Sequence, residues 1–245
     1  MILQPRLSRD GRLVKTDRGW RLEIPAGDGR GYRLSQLDDQ GNRHRGTFAW
    51  HPPFRMSLRA RVSSRAAPGT WGFGVWNDPY AISLGSGGRP ASVPALPRAI
   101  WFFHSSPKSY LSFRDDRPAT GLLAQTFAGP PTPPWLILAG LLIPFAPRAV
   151  RRVLGRLIAE DSTAVLSDPT QWHNYVIEWT RTGSAFWVDD VLLLQSAVSP
   201  TPPLAIVIWV DNQYAAFDPS GRLRWGTETN PEGLWLMVED LKVQP

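Results

Sequence analysis

The sequence predicts an all-β fold, a sandwich of two antiparallel sheets. Its 24 Pro and 21 Gly break the chain into short segments, as expected for strands joined by many turns. The segment 54–62, FRMSLRARV, alternates apolar residues with arginine and serine, which is typical of a strand with one buried face and one solvated face. About twelve such segments predict two stacked sheets. A length of 245 residues is compatible with one domain of this class.

Turn residues separate the predicted strands, among them Ala-Pro-Gly at 67–69 and Asn-Pro-Glu-Gly at 230–233. We expect one domain over residues 1–245, interrupted by one insert. The strands are expected at 19–24, 30–37, 54–62, 70–76, 99–104, 109–114, 121–127, 173–180, 184–188, 191–195, 204–210 and 234–243.

The segment 130–161 breaks the strand pattern and is the predicted insert. Residues 135–146 carry no charge, but a bilayer span requires about 20 apolar residues. From Pro147 onward the pattern is helical, with an arginine stripe and an apolar stripe. The first contains Arg148, Arg151, Arg152 and Arg156, and the second contains Val150, Val153, Leu154, Leu157 and Ile158.

Several roles are open for this insert. It can act as a lid over a ligand cleft, as a membrane-surface helix over 135–158 whose arginines face lipid phosphates, as a dimer contact, or as simple packing on the convex face. We favour the lid. The oligomeric state does not follow from the sequence.

Composition narrows the function classes. The absence of Cys excludes a disulfide framework and a thiol nucleophile. A net charge of +6 raises the question of nucleic-acid binding, but the arginines alternate with apolar residues, so we predict a solvated sheet face and no nucleic-acid partner. The N-terminal residues lack the apolar core of a signal peptide. A cytoplasmic protein is therefore expected for the chain as given, and a secreted mature form would look the same.

The stretch 171–194, QWHNYVIEWTRTGSAFWVDDVLLL, resembles the laminarinases and licheninases of glycoside hydrolase family 16. In that family a strand of the type FHxYxxEW is followed by xFYVDG. Residues 54–78 are similar to its alternating strand and the Gly-Trp strand after it, and residues 233–243 are similar to its closing strand. The resemblance covers roughly residues 50–245. It implies a concanavalin A-like jelly roll of the glucanase and lectin superfamily, with a concave sheet that holds ligands.

The family's catalytic motif has no counterpart here. In family 16 the strand after the Gly-Trp strand carries Glu-x-Asp-x-Glu, because alternate residues of a strand face the same side. A retaining mechanism needs two carboxyl groups about 5–5.5 Å apart. The corresponding strand is RAIWFFH at 98–104, and no Glu or Asp lies between Pro79 and Lys108. We therefore predict that the family's hydrolytic mechanism is lost.

Aromatic residues form the first group of candidate ligand contacts, because aromatic faces stack on sugar rings or apolar ligands. The second group is a run of polar residues after a buried strand, where a loop can reach a ligand. The predicted ligand-binding residues are Trp71, Trp76, Trp101, Phe103, His104, Trp209, Asp211, Asn212 and Tyr214.

Two of these residues are also candidate acid/base groups. His104 is a candidate because an unperturbed histidine titrates near neutrality, and Asp211 because it ends a buried strand. No metal site and no cofactor are expected. Calcium is the alternative, held by oxygens of Asp211, Asn212 and Asp218, although their spacing is not that of an EF-hand loop.

The leading hypothesis is a non-hydrolytic protein that binds a saccharide or a small apolar ligand in an aromatic cleft beneath the insert. Three alternatives remain. They are an enzyme with chemistry unrelated to family 16 in a lid-covered hydrophobic pocket, a divergent glycoside hydrolase, and a peripheral membrane protein anchored by the insert.

Overall fold

The computed structural model describes residues 2–79, 95–131 and 145–245. The strands in chain order are β1 (Gln4–Ser8), β2 (Arg12–Lys15), β3 (Gly19–Ile24), β4 (Leu34–Asp38), β5 (Phe54–Val62), β6 (Thr70–Trp76), β7 (Arg98–Ser105), β8 (Gly121–Ala128), β9 (Ala159–Ala164), β10 (His173–Thr180), β11 (Gly183–Val188), β12 (Val191–Ser196), β13 (Ala205–Asp211), β14 (Gln213–Phe217), β15 (Leu223–Thr227) and β16 (Leu234–Gln244). Among the described residues there is one α-helix, α1, which spans Pro147–Leu157.

The strands form two seven-stranded sheets and a separate hairpin. The front sheet has the order β1-β4-β13-β6-β7-β8-β9, and the back sheet has the order β12-β11-β10-β5-β16-β3-β2. Neighbouring strands pair antiparallel throughout both sheets. The hairpin is formed by β14 and β15. This architecture confirms the predicted all-β sandwich of antiparallel sheets.

The main core lies between the two sheets, where alternate residues of each strand face inward. In β5 every second residue from Phe54 to Val62 is buried, as its alternation predicts. Aromatic side chains meet across the sandwich, since Phe102 of the front sheet packs edge-on against Tyr175 and Phe186 of the back sheet at 4.9 and 5.4 Å. Burying an aromatic side chain of this size stabilises the fold by about 1.5–3 kcal/mol.

The front sheet is also buried on its outward face. Trp101 and Phe103 of β7 point away from the back sheet and join a second hydrophobic cluster, while Ile100 and Phe102 point into the main core. Strand β13 is buried on both faces, which explains why its sequence is continuously apolar rather than alternating.

The prediction of a strand at 109–114 is wrong. This segment forms turns, with a single bridge from Tyr110 to Ala216. Glu160 accepts hydrogen bonds from the backbone N–H groups of Phe113 and Arg114 at 3.0 and 3.1 Å. Because a side chain takes these donors, they are not available to a neighbouring strand.

The insert also ends earlier than expected. The predicted helix begins at Pro147 as expected and ends at Leu157, and residues 159–161 begin β9 of the front sheet. Residues 132–144, which include most of the charge-free stretch, lie outside the described residues. Five of the described strands, β1, β2, β9, β14 and β15, were not expected from the sequence because they have little period-two alternation of apolar and polar residues.

Candidate ligand-binding site

The outward face of the front sheet carries an aromatic cluster. Its rings are in direct contact: Trp76 and Trp209 stack at 6.3 Å with an interplanar angle of 4°, and Trp101 lies 5.7 Å from Trp209 and 4.9 Å from Phe103. Phe127 meets Trp101 edge-on at 6.3 Å. We call Trp76, Trp101, Phe103, Phe127 and Trp209 the aromatic cluster.

Two glycines on β6 make space for this cluster. Strand β6 lies between β13 and β7. A Cβ added at Gly72 would lie 2.4 Å from the carbonyl oxygen of Phe102 and 2.7 Å from the Trp209 ring. A Cβ at Gly74 would lie 2.7 Å from Cβ of Trp101. The indole rings of Trp209 and Trp101 can therefore lie close to β6 only because positions 72 and 74 have no side chain.

The cluster is covered rather than open to solvent. Trp101, Phe103 and Trp209 are 1%, 5% and 6% exposed. Tyr32, Leu111 and Leu154 of α1 are among the residues packed against the hydrophobic cluster to which these three belong. Contact by Leu154 accords with the predicted lid, which stays a prediction because residues 132–144 are outside the described chain.

Trp76 differs from the buried Trp101 and Trp209 in its exposure and in its hydrogen bonding. The indole N–H of Trp101 donates to Gln125 at 3.2 Å, and that of Trp209 donates to Thr70 at 2.9 Å. Trp76 is half-buried, and within the described part of the chain its indole N–H has no acceptor. This nitrogen is itself buried, whereas part of the Trp76 ring is exposed at the edge of the aromatic cluster.

Asp211 lies beside Trp209 on the outward face and is enclosed by donors. Its Oδ1 accepts hydrogen bonds from the backbone N–H and hydroxyl of Thr70 at 3.2 and 2.8 Å and from the N–H of Gln213 at 3.1 Å. Its Oδ2 accepts one from the hydroxyl of Tyr32 at 3.2 Å. Burial raises the pKa of Asp211 to about 6, against the opposing effect of these hydrogen bonds.

A second buried carboxyl group, Glu228, lies at the same end of the sheet. It accepts hydrogen bonds from the N–H of Gly69 at 3.1 Å and from the hydroxyl of Ser106, and Lys108 Nζ lies 3.5 Å from its Oε2. The consecutive peptide groups of residues 69 and 70 therefore donate to Glu228 and Asp211. Sequence reasoning missed Glu228, because it follows β15 and reaches this site only through the folded chain.

Asn212 and Tyr214 occupy different environments near this end. The Asn212 amide donates to the carbonyl oxygens of Gly31 and Glu228 at 3.1 and 3.2 Å and is fully buried. It therefore ties two loops together. Tyr214 is half-buried, and the Lys108 ammonium lies 5.9 Å from its ring.

Trp71 and His104 lie on the other face of the front sheet. They stack on each other at 5.4 Å with an interplanar angle of 9°, and Trp71 belongs to the main core. Burial lowers the pKa of His104 to about 4. The structure thus separates these two residues from the aromatic cluster, and His104 is neutral at pH 7.

Two buried carboxyl groups on the outward face are far apart. Glu160 of β9 is paired in register with Phe127, and Asp211 of β13 is paired with Thr70. Four strand spacings separate β13 from β9, or about 19 Å at about 4.8 Å each. Glycosidase carboxyl pairs lie within about 9.5 Å, so these two residues cannot form such a pair.

The three calcium candidates are bonded to other groups. Asp218 accepts hydrogen bonds from Ser220 at 2.5 Å and Arg222 N–H at 3.1 Å, and pairs with Arg224 at 3.3 Å. Among residues 2–79, 95–131 and 145–245, no three His, Asp or Glu side chains are grouped so that they could hold a metal ion. In the same ranges no helix has both the length and the apolar character to cross a membrane.

No protein-family model and no curated protein matches this sequence. Solved structures match in fold. One is a glycoside hydrolase family 16 protein of a mixed linkage glucan locus of Bacteroides ovatus, in complex with a G4G4G3G product. It has 9% identity, covers 96% of this chain and 85% of that chain, and has a TM-score of 0.50.

A second matching structure is LamAcat from Zobellia galactanivorans. It has 12% identity, covers 99% of this chain and 90% of that chain, and has a TM-score of 0.50. The fold of this chain is a concanavalin A-like jelly roll similar to that of family 16, which confirms the fold implied by the resemblance.

Proposed function

We propose that this protein is a non-hydrolytic saccharide-binding protein. The observation that carries the proposal is Trp76, whose partly exposed ring lies at the edge of the aromatic cluster. The exposed part of an aromatic face binds the apolar side of a sugar ring. The stacked Trp209 behind it, 6.3 Å away, keeps the ring in a fixed orientation.

The fold supports the same ligand class. The Bacteroides ovatus structure of this fold holds a G4G4G3G product, so a mixed linkage glucan oligosaccharide is the first ligand to test. The aromatic residues Trp101 and Phe103 occupy outward positions of β7, the strand that the sequence resemblance aligns with the family's carboxylate strand. Glu160 and Asp211 are too far apart to serve as a carboxyl pair. The neighbouring carboxyl groups of Asp211 and Glu228 are both buried and already accept hydrogen bonds from the chain. Binding without hydrolysis is therefore the function we favour.

The test is calorimetric titration with mixed linkage glucan oligosaccharides, together with an assay for new reducing ends. We expect wild-type protein to bind without releasing reducing ends. Trp76→Ala should weaken binding about two- to tenfold, since a stacked aromatic ring contributes about 0.5–1.5 kcal/mol.

Trp172→Ala is the matched control. Trp172 is also half-buried, but it lies 5.1 and 4.9 Å from the guanidinium groups of Arg59 and Arg61 on the back sheet. Equal loss of binding in both variants would remove Trp76 from the site. Release of reducing ends by wild-type protein would show that it is a hydrolase.

A second candidate function is an enzyme that uses Asp211 as an acid/base group. The observation in its favour is the raised pKa of Asp211, about 6, next to buried Glu228. Carboxyl groups shifted towards neutrality are suited to proton transfer. A broad substrate screen tests it: turnover that is lost in Asp211→Asn supports the enzyme, and turnover that survives this change removes Asp211 from the chemistry.

A further inference from the structure

Helix α1 turns an arginine-bearing side towards the protein. Arg151 is 5% exposed. Its guanidinium donates to the carbonyl oxygens of Phe217 and Ser112 at 2.8 and 3.1 Å, pairs with Asp115 at 2.7 Å, and lies over the ring of Tyr110. These contacts hold the helix against the segment 110–115 and the end of β14.

A glycine lets the helix approach the chain closely. A Cβ at Gly155 would lie 2.8 Å from the carbonyl oxygen of Phe113, so the absence of a side chain sets the distance between helix and loop. A pocket of about 290 Å³ remains beside this contact, and Pro219 is among its lining residues. Neither Trp76 nor any other residue of the aromatic cluster lines this pocket.

Four arginines line this pocket: Arg148, Arg151, Arg152 and Arg156. Arg148, Arg152 and Arg156 are spaced four residues apart, which places them along one side of the helix. Arg148 donates through Nε to the carbonyl oxygen of Ser220 at 3.0 Å. Within the described residues, the guanidinium groups of Arg152 and Arg156 have no hydrogen-bond or ion-pair partner.

The charge in the pocket is not balanced by the chain. Asp115 is the acidic residue among the lining residues, and it is paired with Arg151. Three guanidinium charges therefore remain on one side of a helix, where like charges four residues apart repel. An anion would remove this repulsion, and the planar fork of a guanidinium fits the oxygens of phosphate and sulfate.

We propose that this pocket binds a phosphate or sulfate group, with Arg152 and Arg156 as the main ligands. The pocket has room for the oxyanion and a small part of the molecule that carries it. Both a soluble phosphate or sulfate ester and a lipid phosphate have this chemistry, and the experiment separates them.

The experiment is calorimetric titration of the full chain with inorganic phosphate, inorganic sulfate and glucose 6-phosphate at constant ionic strength. We expect saturable binding at one site. Arg152→Gln together with Arg156→Gln should weaken it at least about tenfold, because hydrogen bonds to charged groups are the strong class. The control is Arg12→Gln together with Arg181→Gln, which removes the same charge from exposed positions elsewhere and should leave the affinity within about twofold.

A second variant changes the affinity in the opposite direction, so a folding defect cannot imitate it. Asp115→Asn removes the pocket's negative charge and should raise the affinity for the same ions several-fold. Vesicles of phosphatidylcholine with and without phosphatidic acid identify the source of the phosphate. Binding to phosphatidic acid vesicles alone, lost in the double variant, assigns a lipid phosphate, and binding to the soluble ions assigns a soluble ester.

Two results would overturn the proposal. The first is no saturable binding of any soluble ion and no dependence of vesicle binding on Arg152 and Arg156. The second is an equal loss of affinity in the Arg12 and Arg181 control, which would show attraction by overall charge. Because the pocket lies apart from Trp76, saccharide binding by Trp76 can fail without affecting this result.

Discussion

The carboxyl oxygens of Asp211 accept four hydrogen bonds, which come from Thr70, Gln213 and Tyr32. These donors satisfy the oxygens but do not offset the cost of burying the charge, and the pKa of Asp211 rises to about 6 from 3.8. The native state therefore binds the Asp211 proton more tightly than the unfolded state does, and this difference stabilises the fold when Asp211 is protonated. This contribution to stability is fully present below pH 3.8 and is lost as the pH rises through 6.

Asp211→Asn should consequently stabilise the protein at pH 8. The asparagine oxygen can accept the bonds from Thr70 and Gln213, its amide can donate to Tyr32, and no charge is buried. We expect an advantage of up to about 3 kcal/mol over wild type at pH 8 that disappears as the pH falls to 4. Urea denaturation at several pH values measures it. Asp17→Asn, at an exposed position, should show no such trend, and a constant difference between wild type and Asp211→Asn would contradict the prediction.

His104 shows the opposite dependence at the same scale. Burial lowers its pKa to about 4 from 6.5, so its contribution to stability is present above pH 6.5 and is lost as the pH falls through 4. His104→Phe keeps a ring against Trp71 and has no proton to bind. Between pH 7 and pH 4 this variant should lose up to about 3 kcal/mol less stability than wild type. Equal acid sensitivity of His104→Phe and the exposed control His51→Gln would show that His104 is not the group responsible.

At the scale of single elements, β6 is the strand on which the aromatic cluster depends. Gly72 faces a backbone carbonyl at 2.4 Å and the Trp209 ring at 2.7 Å from its absent Cβ. A carbonyl group within a sheet cannot move without breaking hydrogen bonds between strands. The strain caused by a side chain at position 72 therefore cannot be relieved by a side-chain rotation alone.

Gly72→Ala should therefore destabilise the protein by about 1–3 kcal/mol, the usual cost of overpacking. Gly46→Ala is the control, because nothing lies within 4 Å of its added Cβ, and it should change stability by no more than about 0.5 kcal/mol. Thermal unfolding of the two variants measures both. A stability change at Gly72 no larger than at Gly46 would mean that the indoles do not need the space above β6.

At the scale of the whole molecule, the sequence predicts the strands whose pattern is local. Residues 54–62, 70–76 and 173–180 alternate or are bounded by clear turns, and all three are strands with those bounds. Strand β9, AEDSTA, has no such pattern and exists because β8 pairs with it. Residues 109–114 have a strand-like composition, but distant Glu160 takes their backbone donors.

The same limit applies to the candidate site. Because alternate residues of a strand share a face, Trp101 and Phe103 are predicted on one face of β7 and Phe102 and His104 on the other. Because β6 and β7 are apolar on both faces, their sequences do not reveal which face meets the back sheet. Trp101 and Trp209 lie in the aromatic cluster, whereas Trp71 and His104 lie in the main core. Glu228 was beyond prediction, because its position is set by contacts with residues 69, 106 and 108.

The stacking of Trp76 on Trp209, with Trp101 5.7 Å from the second ring, has an optical consequence. Indole chromophores this close couple their electronic transitions, and the coupled transitions give paired bands of opposite sign in circular dichroism. The sign and amplitude of those bands depend on the arrangement of the three rings, so circular dichroism can follow the cluster, without a label, when the proposed saccharide is added.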